Sequence, residues 1–309
     1  MDSTAQPERF RHIGFVTATE PGPAAPALSP AVAWAEGRLA RAPRAPDAPD
    51  DETRASLAFV FDSAALDLTQ YRIGPLARRV PACLRALCSR SPAEACAILA
   101  RDPSRLDAVL DALLLGVSSF FRDPAVFAEL RGRIIPELLR ARPEMRILSI
   151  GCSDGAEIYS VAMILEDLGA LGAARLTGID FRMSALARAR GGRYLLRNDT
   201  APPPGTERHS ACDSKEIRVL PSIRRTVEFR RADVLRDFPM GPFELVLCRN
   251  LAMYLTEEAA ARLWTRLAEA VVPGGYVVTG RAEQTPIPGM ARVAPSLFQR
   301  TDARGSHAA

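Results

Sequence analysis

Three acidic residues follow the ends of predicted strands and are the first candidates for ligand binding. Glu157 opens the helix after "RILSI", Asp180 ends the strand "LTGID", and Asp233 follows the strand in "TVEFRRADV". Ligands of doubly wound sheets bind beyond the carboxyl ends of the strands, so these carboxylates should face one site. Carboxylates only accept hydrogen bonds, which suits a ligand with an ammonium group, a ribose diol and an adenine amino group.

The loop "GCSDG", residues 151–155, follows the first of these strands. Its Gly-x-x-x-Gly pattern differs from the GxGxxG of dinucleotide sites and the GxxxxGK[ST] of phosphate loops, and no lysine follows it. The nearby acids also disfavour a phosphate. S-adenosylmethionine fits better, because it carries a ribose, an adenine and a positive sulfonium but no phosphate. The spacing alone leaves other nucleotide-type ligands open.

The elements that must position these residues lie in the segment 141–302. Strands alternate with helices there, which predicts an α/β fold with a doubly wound parallel sheet and helices on both faces. Thr256 is the expected N-cap of one helix, and residues 291–300 are expected to add an antiparallel edge. Residues 192–226 are polar and too long for an ordinary crossover, so we expect an irregular insertion or a flexible segment.

Two further regions precede this segment. Residues 1–55 are rich in Pro and Ala and poor in large apolar residues, which predicts a disordered tail. A short docking segment from Phe10 to Val16 is the alternative. Residues 56–140 show helical periodicity, with Ser91 as an N-cap and Pro92 at the first helical position. They are expected to form a small N-terminal helical domain and a linker.

Composition limits the other functions that the chain could have. The net charge is only +4, and no block of basic residues is interleaved with aromatic residues, so no nucleic-acid partner is expected. The 6 cysteines form no CxxC pair and the 3 histidines are scattered, so no metal site is expected. The sequence shows neither a membrane-spanning apolar run nor a signal peptide. We therefore expect a cytoplasmic protein without membrane insertion. A monomer is expected as well.

Five stretches together carry a resemblance to a known family. In order they are "SSFFRDPAVF", "GCSDGAEIYSVAMIL", "GIDFRMSALARARGGRY", "FRRADVL" and "GPFELVLCRNLAMYL". With them, residues 70–285 resemble the CheR family, S-adenosylmethionine-dependent protein-glutamate O-methyltransferases that methylate chemotaxis receptors. The resemblance implies a class I methyltransferase domain with a small N-terminal helical domain. It also implies S-adenosylmethionine as cofactor and an acidic helical receptor or signalling protein as partner.

The resemblance also implies roles for individual residues. Glu157 would lie near the methionine amino group of the cofactor, Asp180 at its ribose and Asp233 beside its adenine. The full set of implied cofactor-binding residues is Ser118, Arg122, Gly151, Glu157, Asp180, Asp233, Val234, Arg249 and Asn250.

Two residues are candidates for catalysis. Arg122 matches the arginine of the family's FFR motif and would bind a carboxylate of the cofactor or of the acceptor. An ion pair between domains is the alternative. Tyr254 would line the methyl pocket, or else cap the start of a helix. Arg78, Arg79 and Arg85 lie near one predicted helix, which in the family faces acidic receptor bundles; a solvated face is the alternative.

The sequence departs from the family pattern at several positions. Gly116 stands where the family usually has Asn, Ala156 and Ile158 change the GEEPYS motif to "GAEIYS", and "GRAEQ" replaces "GHSES". Two rival functions therefore stay open. One is carboxyl methylation of a different protein or a small acid, and the other is a cofactor-binding regulator without activity.

Overall fold

A computed structural model of the chain describes residues 49–114, 116, 118–196, 203–212, 216–283 and 286–301. Within these residues, a seven-stranded sheet has the order β6-β2-β1-β7-β8-β10-β9. Its strands are β1 (Met145–Ile150), β2 (Ala174–Asp180), β6 (Val227–Arg231), β7 (Phe243–Cys248), β8 (Val271–Thr279), β9 (Met290–Ala294) and β10 (Leu297–Arg300).

The sheet is parallel except at one edge. β6, β2, β1, β7 and β8 pair in parallel, whereas β10 runs antiparallel to both β8 and β9. The chain thus enters at the centre, builds outward to β6, and returns to build the other half. This arrangement confirms the predicted doubly wound α/β sheet and its antiparallel edge. The topological switch point lies between β1 and β7, and the carboxyl ends of β2 and β6 lie at the same edge of the sheet.

Helices cover both faces of the sheet. One face packs on α8 (Ala156–Asp167), α9 (Met183–Gly191) and a long helical segment. That segment consists of α6 (Pro124–Glu129), a π-helical stretch (Leu130–Ile134) and α7 (Ile135–Ala141). The other face packs on α11 (Glu257–Ala270). The Thr256 side chain accepts a hydrogen bond from Ala259 N and caps α11 as predicted.

A separate apolar cluster joins the helices that precede the sheet. These helices are α1 (Asp51–Ser63), α2 (Ile73–Ala77), α3 (Val80–Leu87), α4 (Pro92–Arg101) and α5 (Leu106–Leu113). Ser91 caps α4 through Glu94 N, as predicted. The predicted boundary of the tail at residue 55 is wrong, because α1 begins at Asp51 and Asp50 caps it through Thr53 N. The rest of the predicted tail, up to residue 48, lies outside the described residues.

The insertion at 192–226 is not irregular where the structure describes it, and this corrects the sequence-based expectation. It contains β3 (Arg193–Leu195), β4 (Ser210–Cys212) and β5 (Glu216–Val219), which form an antiparallel sheet with β5 in the centre, and the short helix α10 (Pro221–Arg224). Ile217 and Val219 are buried against the main core, which gives these short strands an apolar anchor. The Tyr194 hydroxyl donates to Asp154 O at 2.6 Å and so ties the insertion to the glycine loop.

The corrected boundary gives a prediction for truncated chains. Deleting residues 1–48 should leave the melting temperature unchanged, because their composition offers little apolar surface to bury. Deleting residues 1–55 should lower the melting temperature by about 2–4 °C. Losing a helix cap costs about 1 kcal/mol, and in a domain of this size that free energy corresponds to such a shift. Calorimetry of the two truncated proteins beside the full chain checks this. A melting temperature lowered by the deletion of residues 1–48 alone would contradict this and indicate that the tail packs on the folded part.

Candidate functional site

A cavity of about 540 Å³ lies where the parallel strands end. Every residue predicted for the site lines it: Ser118, Arg122, Gly151, Glu157, Asp180, Asp233, Val234, Arg249, Asn250 and Tyr254. They come from the loop before α6, the loops after β1, β2, β6 and β7, and the first turn of α8. The structure therefore brings together residues that are up to 136 positions apart, from Ser118 to Tyr254.

The glycine loop between β1 and α8 has a backbone that few side chains tolerate. Gly151, Ser153 and Gly155 have φ values of +64°, +52° and +84°. A Cβ atom added at Gly155 would lie 2.8 Å from the ring of Phe229, so only glycine combines this conformation with this close packing. Cys152 N donates to Ile179 O at 2.9 Å and fixes the loop against the end of β2.

Asp180 is held by a network that the sequence did not reveal. Its carboxylate accepts from Ser153 N at 2.9 Å and from Arg182 N at 2.9 Å. The Arg182 side chain also donates to both oxygens, from Nε and Nη2, each at 3.1 Å. Asp180 is 7% exposed and Arg182 5%. Arg182 is thus a cavity-lining residue that prediction missed, because an arginine two positions beyond a strand carries no special signal.

Arg249 connects two acids across the cavity. Its Nη1 lies 3.1 Å from Glu157 Oε2, and its Nη2 donates to Asp123 and to Arg122 O. Ser149 Oγ donates to the other oxygen of Glu157 at 2.9 Å. Burial raises the pKa of Glu157, and the adjacent Arg249 charge opposes this rise. The Arg249 Nε atom is buried without a hydrogen-bond partner in the described part of the chain.

Glu283 organises the loop after β7, and prediction missed it too. Its carboxylate accepts from Asn250 N at 2.8 Å, from Ala252 N at 2.7 Å and from Gly280 N at 2.8 Å. Asn250 has a φ of +61°, a conformation that costs free energy for a residue with a side chain. The buried carboxylate therefore stabilises a strained turn that carries Asn250 towards the cavity.

Tyr71, which the sequence analysis did not select, lines the cavity together with Phe181, Asp233 and Val234. The segment before α2 pairs with the loop before α11. Arg72 N donates a hydrogen bond to Tyr254 O at 2.8 Å, and Thr256 N donates one to Gln70 O at 2.9 Å. This pairing positions Tyr254 as well. Burial raises the pKa of Asp233, opposed by the Leu235 backbone N–H. Burial, and then the charge of Asp233, also raises the pKa of Tyr71.

The chemistry of these groups fits S-adenosylmethionine. Three carboxylates of the predicted site, Glu157, Asp180 and Asp233, line the cavity, and the described lining contains no lysine. The unpartnered Arg249 N–H is a donor suited to a carboxylate such as that of the cofactor's methionine part. Two aromatic rings, Tyr71 and Phe181, offer flat apolar surface near Asp233, as an adenine would need.

The described residues offer little for two other classes of site. No group of three His, Cys, Asp or Glu side chains is placed there to hold a metal ion. No helix in this part of the chain has both the length and the apolar character needed to cross a membrane.

Comparison with known proteins identifies the family. Residues 116–298 match the family described as CheR methyltransferase, SAM binding domain. A chemotaxis protein methyltransferase of Listeria monocytogenes is 33% identical over 189 residues, which are 60% of this chain and 72% of the relative. A chemotaxis protein methyltransferase of Listeria innocua is 31% identical, over 71% of this chain and 84% of the relative.

A third relative, chemotaxis protein methyltransferase 1 of Pseudomonas aeruginosa, is 33% identical over 57% of this chain and 68% of its own length. The family match, residues 116–298, contains all the parallel strands and every residue predicted for the site. The class I methyltransferase fold and the S-adenosylmethionine cofactor, both expected from the sequence, are thereby confirmed. The chain belongs to the CheR family of S-adenosylmethionine-dependent methyltransferases.

Proposed function

We propose that this chain is a protein-glutamate O-methyltransferase that acts on a chemoreceptor-like helical signalling protein. One observation carries the choice of a carboxylate as acceptor. The cavity lining in the described residues contains Arg122 and Arg281 but neither histidine nor lysine. Burial raises the pKa of Tyr71 and of Cys152, so neither group is a ready base at neutral pH. A glutamate side chain needs no base, because it is already ionised there.

Methyl transfer to a carboxylate is an in-line displacement in which one acceptor oxygen forms a bond to the methyl carbon as the carbon–sulfur bond breaks. Bound S-adenosylmethionine supplies an electrophilic methyl group on a positive sulfur. The protein then contributes positioning and the exclusion of water. Arg122 is proposed to hold a carboxylate, of the cofactor or the acceptor, by charge-assisted hydrogen bonds. Tyr254 is proposed to form one wall of the methyl pocket.

The remaining site residues are proposed to hold the cofactor. Their carboxylates and amides face a common space, but two of the acids already have arginine partners, Glu157 with Arg249 and Asp180 with Arg182. We propose that Glu157 accepts from the amino group of the methionine part, Asp180 from the ribose hydroxyls and Asp233 from the adenine. Ser118, Gly151, Val234 and Asn250 complete the proposed cofactor site.

The acceptor protein is proposed to dock through basic residues of the helical region. Arg78 and Arg85 are exposed around α3 and are available to an acidic surface. Arg79 is half-buried and donates from Nε to Ala112 O at 3.0 Å, so it contributes less than the sequence suggested. The cytoplasmic location and the monomeric state remain predictions that go with this partner.

The rival function, a regulator without activity, was suggested by departures from the family pattern. Two of these departures, Ala156 and Ile158, lie in the apolar core. Ala156 and Ile158 are 1% and 0% exposed and belong to the core, so these changes repack the start of α8 without adding a charged group to the cavity. Methylation of another protein or of a small acid would use the same site. An assay with acidic helical proteins and with free dicarboxylic acids separates these acceptors.

The cofactor role of Asp180 gives a measurable prediction. Replacing Asp180 by alanine should weaken the binding of S-adenosylhomocysteine at least about tenfold, since a charged acceptor of hydrogen bonds contributes about 1.5–3 kcal/mol. Titration calorimetry on wild type and variant measures it. Asp62→Ala, at an exposed position of α1, is the matched control and should bind as wild type does. Equal affinity in wild type and Asp180→Ala would remove Asp180 from the ribose role.

A further inference from the structure

The carboxylate of Asp180 has little capacity left for a ligand. A carboxylate offers about four acceptor positions, two on each oxygen. In the described structure Oδ1 accepts from Arg182 N and Nε, and Oδ2 accepts from Ser153 N and Arg182 Nη2. Two of these four donors belong to the Arg182 side chain. Two ribose hydroxyls could therefore bind Asp180 with full hydrogen bonding only where the Arg182 guanidinium has left it.

A second acid is already next to that guanidinium. Arg182 Nη1 lies 3.4 Å from Asp111 Oδ1 on α5. Asp111 also accepts from Ser184 Oγ at 2.8 Å and from Arg188 Nη1 at 2.9 Å. Partial burial would raise the pKa of Asp111, but hydrogen bonds from Arg188 and Ser184 and the charges of Arg188 and Arg182 bring it below its usual range. Asp111 is thus a stable anion at neutral pH, and it does not line the cavity.

Space for the guanidinium comes from Gly116. A Cβ atom added at Gly116 would collide with Arg182 Nη2 and with the hydroxyl of Ser153. A larger residue at position 116, such as the Asn that the family resemblance implies there, is incompatible with the observed position of the Arg182 guanidinium. The observed position of the Arg182 guanidinium therefore requires a glycine at position 116, which gives the departure there a physical reason other than loss of catalysis.

We propose that Arg182 competes with the cofactor's ribose for Asp180, and that Asp111 receives the guanidinium when the ribose binds. This inference rests on the cofactor role proposed for Asp180. The affinity for the cofactor is then set by a balance between two acids, one in the methyltransferase sheet and one on α5. The packing of α5 against α9 becomes part of the cofactor site, although Asp111 itself never touches the cofactor.

The proposal is tested by the direction in which two substitutions change the affinity for S-adenosylhomocysteine. In full-length protein, Arg182→Ala should bind S-adenosylhomocysteine about tenfold more tightly than wild type, because two acceptor positions of a buried carboxylate are released. Asp111→Asn should bind it about threefold more weakly, because the displaced guanidinium loses a partly buried anionic partner. A purely structural role of the cluster would change both affinities in the same direction. Calorimetric titration provides the affinities, and thermal melting confirms that each variant is folded.

Further variants separate the possible results. Arg182→Met keeps the apolar stem of the side chain and serves if Arg182→Ala does not fold; it should also bind more tightly. Arg188→Ala removes another partner of Asp111 without touching Asp180, and its affinity should stay within twofold of wild type. The proposed competition is overturned if both Arg182 variants bind S-adenosylhomocysteine as tightly as wild type or more weakly. It is also overturned if Arg188→Ala and Asp111→Asn lose affinity equally. Wild type that fails to bind S-adenosylhomocysteine overturns the proposed function itself.

Discussion

Replacing Arg122 by alanine is expected to lower the rate of methyl transfer by a factor on the order of 10²–10³, the usual loss when a preorganised donor to a reacting anion is removed. The residue lines the cavity, and its backbone oxygen is fixed by Arg249 Nη2 at 3.0 Å. Its neighbour Phe121 is also anchored, through its N–H to Ser160 Oγ at 2.9 Å. The fold should survive the substitution, because the loop retains these contacts.

The measurement uses a radioactive methyl donor and a helical chemoreceptor fragment as acceptor. Wild-type product should release its label as volatile methanol at high pH, as a methyl ester on glutamate does. Arg122→Lys keeps the positive charge but loses the geometry that gives a carboxylate two hydrogen bonds. Its rate of methyl transfer should therefore lie between those of wild type and Arg122→Ala. Arg133→Ala, which breaks an exposed pair with Glu129, is the matched control. A base-stable label would point to nitrogen as the acceptor and overturn the carboxylate proposal.

Much of the site could be predicted because the geometry of a parallel sheet is general. Glu157, Asp180 and Asp233 follow strands whose carboxyl ends meet at one edge, so identifying the strands was sufficient to group the acids. Short-range rules were equally reliable for the helix starts at Ser91 and Thr256, where a side chain and a backbone N–H three residues later form the contact.

The remainder depends on contacts between distant segments, which local patterns do not encode. Tyr71 enters the cavity because its segment pairs with the loop around Leu255, and Glu283 acts through three backbone N–H groups on two loops. The insertion was expected to be irregular because the segment is polar and too long for an ordinary crossover, and the strands that it contains are short. The short strands are stabilised by their pairing with β5 and by the burial of Ile217 and Val219. Neither interaction can be recognised from a short stretch of sequence.

The largest loss of stability is expected at Arg249. Its side chain is 3% exposed and holds Glu157 and Asp123, which are 14% and 21% exposed. Arg249→Met should reduce the free energy of unfolding by about 3–5 kcal/mol, since it leaves buried acids without their partner. A methionine fills similar space, so the loss reports mainly on charge. Arg230→Met, at an exposed ion pair with Glu228, should show no measurable change.

The loss at Arg249 should depend on pH in a defined direction. Burial already raises the pKa of Glu157, and removing the opposing Arg249 charge raises it further. The folded variant then binds a proton that the unfolded chain releases, so its stability is retained at low pH and falls as pH rises through the raised pKa. Urea unfolding of Arg249→Met at pH 5 and pH 8 should show the larger loss at pH 8. Adding Glu157→Gln removes the titrating group and should abolish most of that difference. A loss independent of pH, or one that Glu157→Gln leaves unchanged, would show that Asp123 rather than Glu157 is the acid that Arg249 stabilises.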